Sequence, residues 1–249
     1  MSSSASSVAI SGARDLGPRD QLIVALDLPD GAAALALIDR LENLVLWFKI
    51  GLELYVSEGN KIVETVRSRG YSVFLDLKLH DIPNTVAGAV RSVTKSGAGM
   101  LTLHAAGGPA MLAAAQEAAF ALPSPPKLLA VTVLTSMDPA QLASTGIAVS
   151  PADQVMRLAK MAYDTGIRGF VASAEEVAIL RLAHPDATLV IPGIRPTGAD
   201  TGDQKRVATP AAAIAAGADY LVIGRPITQA ADPATAAQAI LEEIAAAKL

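Results

Sequence analysis

Short apolar runs rich in β-formers alternate along this chain with longer stretches whose apolar positions recur at helical spacing. Eight such runs occupy residues 22–26, 46–50, 72–77, 100–103, 128–134, 169–172, 188–191 and 220–223. Their nearly continuous apolar character predicts strands buried on both faces, as in parallel sheets covered by helices. Helical periodicity covers 32–41, 61–68, 86–96, 110–121, 151–164, 174–183 and 210–216, and a last helix over 233–247 closes the chain. Eight strands, each followed by a helix, predict one α/β domain, a (β/α)8 TIM barrel. The alternative is an open doubly wound sheet, which usually carries a glycine-rich first turn. The turn here, Asp27-Leu28-Pro29-Asp30-Gly31, has no dinucleotide-binding pattern.

The barrel domain is expected over residues 20–249, preceded by a flexible tail over 1–19 that opens with small polar residues. The tail has neither the basic start nor the apolar stretch of a signal peptide, and no apolar run is long enough to span a bilayer. No linker interrupts the rest. Residues 122–127 contain three prolines and read as a short helix-to-strand loop. Residues 192–204, rich in Gly, Pro and Thr, read as a long loop after the seventh strand, of the kind that often closes over a site.

Composition removes several classes of function. The chain has no cysteine, which excludes disulfides, zinc–thiolate sites, iron–sulfur clusters and thiol catalysis, and suits the cytoplasm. Its net charge of −4, without a basic run, gives no sign of a nucleic-acid or anionic-membrane partner.

The third strand changes the picture most. It reads Phe74-Leu75-Asp76-Leu77-Lys78-Leu79-His80-Asp81-Ile82-Pro83-Asn84-Thr85. Alternation places Asp76 and Lys78 on one face, and Pro83 is expected to stop the strand. Charges on a buried strand are costly to desolvate, so a fold gains little from them while a catalytic site can use them. Lys49, Asp76, Lys78 and Asp81 are expected to form an array of alternating sign, in which each member keeps its charge. The plainer reading is a structural ion network at the barrel mouth. Other polar residues fall at predicted strand ends: Asp27, His104, Thr135 with Ser136, Arg195 and Gln204, and Gly224-Arg225. Active sites of barrels lie at that end. Loops after the last two strands often bind phosphate, and Arg225 adds a bidentate donor. A metal site would have to combine Asp76 and Asp81 with His80 or His104. Hydrogen-bonded loop or core histidines are the preferred reading, because the lysines already neutralise the carboxylates.

The run Asp76-Leu77-Lys78-Leu79-His80-Asp81-Ile82-Pro83-Asn84-Thr85 resembles the signature of the orotidine 5′-phosphate decarboxylase family, bacterial type. The resemblance continues through Leu26-Asp27, Phe48-Lys49-Ile50-Gly51, Leu103-His104-Ala105, and Val131 to Met137. It then takes in Pro192-Gly193-Ile194-Arg195-Pro196, Gly202-Asp203-Gln204 and Ile223-Gly224-Arg225-Pro226, covering roughly residues 20–249. It implies decarboxylation of orotidine 5′-monophosphate to uridine 5′-monophosphate, the last step of pyrimidine nucleotide synthesis, without metal or organic cofactor. It implies a homodimer with shared active sites. Carried over, Lys78 is the proton donor to C6 of the pyrimidine, Asp76 lies beside the substrate carboxylate, and Asp27 and Lys49 hold the ribose hydroxyls. Asp81 and Thr85 reach in from the partner subunit, and Thr135 or Ser136 faces the pyrimidine edge. Arg195, Gln204, Gly224 and Arg225 hold the phosphate. The whole signature, including Leu77, Leu79, His80, Ile82, Pro83 and Asn84, is expected at the substrate.

Two other functions fit the same scaffold. One is a Mg²⁺-dependent sugar-phosphate decarboxylase or synthase sharing an Asp-x-Lys-x-x-Asp strand; the Ile82–Thr85 continuation argues against it. The other is a non-catalytic nucleotide-binding barrel, against which Lys49, Asp76, Lys78 and Asp81 all stand.

Overall fold

Each strand of this protein has two buried faces, and the two faces pack against different partners. The structure, a computed structural model, describes residues 16–197 and 207–248. The strands are β1 (Leu22–Ala25), β2 (Trp47–Ile50), β3 (Ser72–Leu79), β4 (Met100–His104), β5 (Lys127–Val131), β6 (Gly169–Val171), β7 (Thr188–Ile191) and β8 (Tyr220–Ile223). All pair in parallel in sequence order, and β8 returns to β1 to close the barrel. On β1, Leu22, Val24 and Leu26 join the large core shared with the surrounding helices, whereas Ile23 and Ala25 face the barrel axis. There they meet Phe74, Met100, Leu129, Val190, Tyr220 and Val222. The period of two along each strand thus fills two cores at once. Full burial of a side chain such as Phe74 contributes about 1.5–3 kcal/mol.

Close strand approach constrains one residue sharply. A Cβ at Gly169 would lie 2.4 Å from Leu129 and 2.7 Å from the Leu128 carbonyl oxygen, so only glycine lets β6 lie against β5.

The N-terminal end of the barrel is sealed by side chains that stabilise rather than react. Trp47 and Tyr220 meet edge to face at 5.9 Å. Arg181 donates to Asp219 at 2.6 Å, and Asp219 also accepts from the Leu189 amide at 2.7 Å. Residues 1–15 of the expected tail lie outside the described residues, but its last part is not loose. Pro18–Gln21 form a helical turn, Leu16 packs on the inner core, and the Gln21 amide donates to the Asp219 carbonyl at 3.2 Å. Proline at the first helical position supplies the turn's starting φ. Among the described residues no helix is long and apolar enough to cross a membrane.

His184 sits between the rings of Tyr163 and Phe170, at 4.5 and 5.4 Å, with 7% of its surface exposed and no hydrogen-bond partner for Nε2. Burial lowers its pKa, outweighing the nearby carboxylates of Asp186 and Asp164. The folded chain therefore holds His184 neutral at a pH where the unfolded chain protonates it. This contribution to stability is complete above the ordinary histidine value of about 6.5 and is lost as pH falls through the lower folded value. Urea midpoints at pH 7 and pH 5 should show a smaller acid loss for His184→Phe than for the wild type. An equal loss in both would remove His184 from the account.

Candidate active site

The inward parity that carries apolar side chains at the bottom and middle of the barrel carries polar ones at its C-terminal end. Asp27 lies two residues beyond Ala25, and Lys49, Asp76 and Thr102 follow Trp47, Phe74 and Met100 by the same step. Lys49 Nζ donates to Asp27 Oδ1 at 2.8 Å and lies 3.6 Å from Asp76 Oδ2. Lys78 Nζ is 2.8 Å from both Asp76 oxygens, and Thr102 Oγ1 donates to Asp76 Oδ1 at 2.9 Å. The Asp76 side chain is only 13% exposed and that of Lys49 10%. Burial opposes ionisation of Asp76. The charges of Lys49 and Lys78, with hydrogen bonds from Lys78 and Thr102, overcome it and hold the carboxyl below its ordinary range.

Glycine makes room for this array. A Cβ at Gly51 would lie 2.9 Å from both Asp27 Oδ1 and Lys49 Nζ, so a side chain there would displace one or both head groups.

Simple alternation predicts Asp76 and Lys78 on one face, and they do share the barrel mouth, but a regular strand does not put them there. Leu75 pairs with Leu101 and Leu79 with Leu103, so Asp76, Leu77 and Lys78 together lie opposite the single residue Thr102. The bulge has two extra residues, which preserves the inward parity while bending the strand. Lys78 has φ +52°, in the left-handed region, where a side chain costs about 1–2 kcal/mol. Its amide donates to Thr102 Oγ1 at 2.8 Å.

Asp27, Lys49, Asp76 and Lys78 line a cavity of about 660 Å³, a size suited to a small-molecule ligand. Phe74, Val131, Val171 and Val222 form apolar lining, and Thr135 and Ser136 add polar groups. Pro192, Gly193, Arg195, Gly224 and Arg225 complete the lining. Arg195 is buried and donates through Nη1 to the Ile194 carbonyl at 2.8 Å. Its amide donates to Ala208 at 2.9 Å, and Ile194 and Ala208 bridge, tying together the two ends of the loop after β7. Gln204 lies outside the described residues. Gly224 precedes the short helix Arg225–Thr228, whose Arg225 is exposed at the cavity.

The rest of the predicted cluster lies elsewhere in the chain. Leu77 and Leu79 pack against the outer core. His80, Asp81, Ile82 and Pro83 line a separate shallow depression with Ala106 and Gly107, and Asn84 and Thr85 are exposed. Asp81 accepts from the Ile82 amide at 2.6 Å. The array expected from Lys49, Asp76, Lys78 and Asp81 is thus assembled within one chain from the first three, with Asp27 as its second carboxylate. Pro83 does more than end a strand, since it opens the helix Pro83–Thr94. His80 and His104 face each other with ring centres 5.5 Å apart. Burial, then the His80 and Lys78 charges, lower the His104 pKa against the pull of Asp76. Among the described residues no cluster of three His, Cys, Asp or Glu has metal-holding geometry.

The profile of the orotidine 5′-phosphate decarboxylase / HUMPS family matches residues 20–240. The chain belongs to this family. It is 51% identical over 224 residues to an orotidine 5′-phosphate decarboxylase of Pseudomonas aeruginosa, covering 90% of this chain and 97% of that one. A Bradyrhizobium protein of the same name is 52% identical over 234 residues, covering 94% and 95%. The crystal structure of the Lactobacillus acidophilus orotidine 5′-phosphate decarboxylase matches with a TM-score of 0.80 at 38% identity, over 90% of this chain and 98% of that one. Family membership agrees with the resemblance carried by the Asp76–Thr85 run.

Thr102 is the site residue that sequence reasoning missed. The available signal was its polarity at an inward position of an otherwise apolar strand.

The strain at Lys78 can be separated from its charge. Lys78→Ala and Lys78→Gly both remove the ammonium, but only glycine accepts φ +52° freely. The glycine variant should be the more stable by about 1 kcal/mol in urea unfolding. An alanine variant of equal or greater stability would mean that the bulge relaxes without strain.

Proposed function

We propose that the protein decarboxylates orotidine 5′-monophosphate to uridine 5′-monophosphate and CO2 in the cytoplasm, as a homodimer with shared active sites. The observation that carries this reading is the Lys78 ammonium held against both oxygens of a buried Asp76, in a cavity also lined by Gly224 and Arg225. With the phosphate at Gly224 and Arg225 and the ribose hydroxyls on Asp27 and Lys49, C6 of the pyrimidine comes to Lys78. The C6–carboxylate bond breaks, CO2 leaves, and the electron pair stays on C6. That carbanion lies in the ring plane, where the ring delocalises it poorly. A fixed ammonium stabilises it and then delivers a proton to C6, and solvent reprotonates the amine. Asp76, held ionised by its two lysines, repels the substrate carboxylate until CO2 departs. Thr135 or Ser136 meets the pyrimidine edge. Arg195, Arg225, Gly224 and Gln204 hold the phosphate, whose binding energy closes the loop and excludes water.

The dimer accounts for the signature residues outside the cavity. Asp81 is exposed and lines a depression separate from the cavity of Lys78, Ile82 is 67% exposed, and Asn84 and Thr85 follow in the chain. In this reading, Asp81 and Thr85 complete the neighbouring subunit's site and Ile82 is covered by it.

One assay serves both parts. Purified protein mixed with orotidine 5′-monophosphate in EDTA should bleach the orotate-ring absorbance and yield uridine monophosphate and CO2 in equal amounts. Activity that vanishes in EDTA and returns with Mg²⁺ would favour the sugar-phosphate branch of the family instead. Asp81→Asn and Lys78→Ala should each be nearly inactive alone. Mixed under subunit exchange, they should regain activity, because one site of each heterodimer then carries neither lesion. Exchange without recovery would mean that each site is built from a single chain.

A further inference from the structure

Thr102 is fully buried, and its one hydroxyl stands between the two residues that the proposed chemistry needs. The direction of its hydrogen bonds is fixed by the partners. An ionised Asp76 carboxylate can only accept and the Lys78 amide can only donate, so the hydroxyl donates to Asp76 at 2.9 Å and accepts from Lys78 at 2.8 Å. Thr102 is also the only β4 residue opposite the three residues of the β3 bulge. Such a bulge takes backbone groups out of the ladder, and an unpaired buried amide is expensive. The threonine side chain replaces the missing ladder partner at the bulge residue whose φ is left-handed. Its branched Cβ restricts χ1, so the hydroxyl is held in place before any ligand arrives.

We propose that Thr102 is a positioning residue for the decarboxylation. It locks the bulge so that Lys78 keeps its left-handed backbone and its ammonium stays on Asp76 at the point where C6 is to lie. This inference rests on the function proposed above. Thr102 is absent from the cavity lining to which the proposed reading assigns the phosphate and ribose, so its loss should appear in turnover and not in substrate affinity.

Thr102→Val keeps the shape and removes the hydroxyl. Its kcat should fall about a hundredfold, the cost of a displacement of about 1 Å in a catalytic group. KM should stay within about threefold. Thr102→Ser and Thr102→Ala both lack the γ-methyl and differ in the hydroxyl alone. Serine should retain most of the wild-type kcat and alanine should lose at least about tenfold more. The comparison holds even if the valine variant does not fold. Hydrogen exchange of the Lys78 amide gives a readout without turnover: slow in wild type and Thr102→Ser, faster in Thr102→Ala. Wild-type kcat in the valine variant, a loss confined to KM, equal kcat for serine and alanine, or unchanged Lys78 exchange in alanine would each overturn the inference. An inactive wild type would overturn the functional reading instead, and the exchange data would still decide whether Thr102 holds Lys78.

Discussion

A carboxylate buried between two ammonium groups sets the terms for the rest of the barrel mouth. Removing the Asp76 charge from water costs several kcal/mol, and the cost is offset only where Lys49, Lys78 and Thr102 all lie on it with good geometry. Each neighbour then acquires a constraint of its own. Lys49 must also reach Asp27, and the missing Cβ of Gly51 leaves room for both head groups. Lys78 must approach both Asp76 oxygens from only two residues away, in a bulged strand and with a left-handed backbone. The bulge then needs Thr102. One buried charge thus accounts for a glycine, a threonine and a strained lysine on three strands or strand ends.

The energetics and the chemistry point the same way. Apolar packing at this position would serve stability at least as well as an ion network, and the left-handed Lys78 adds a cost of about 1–3 kcal/mol. The barrel can carry both because two apolar cores, one inside the strands and one under the helices, supply its stability. The result is an ammonium fixed before substrate binds, with no reorganisation left for the moment when charge develops.

Much of this was legible in the chain. The eight strands could be read because burial on both faces writes continuous apolar runs, and β7 and β8 have the expected limits. Asp27, Lys49, Asp76 and Lys78 stood out as charges within or at the ends of such runs. The bulge was illegible because two extra residues leave the period of two intact. Thr102 was illegible because one threonine in Met-Leu-Thr-Leu reads as ordinary strand propensity. The short helices Leu52–Glu58, Pro139–Ser144 and Arg225–Thr228 span too few turns to show a period, although Asp138 caps Pro139–Ser144 through the Gln141 amide at 2.8 Å. Asp81 shows a different limit. Its sign and spacing matched the array, but spacing along a chain does not say that a side chain past the strand's end turns into the same cavity.

The central claim is that the Lys78 ammonium, positioned by Asp76, acts on the reacting carbon. Single-turnover and steady-state rates of Lys78→Ala with orotidine 5′-monophosphate, beside its affinity for uridine 5′-monophosphate, test this most directly. The account predicts a loss of turnover of at least about a thousandfold with product binding kept within about tenfold. Near wild-type turnover in a variant that binds product normally would contradict it.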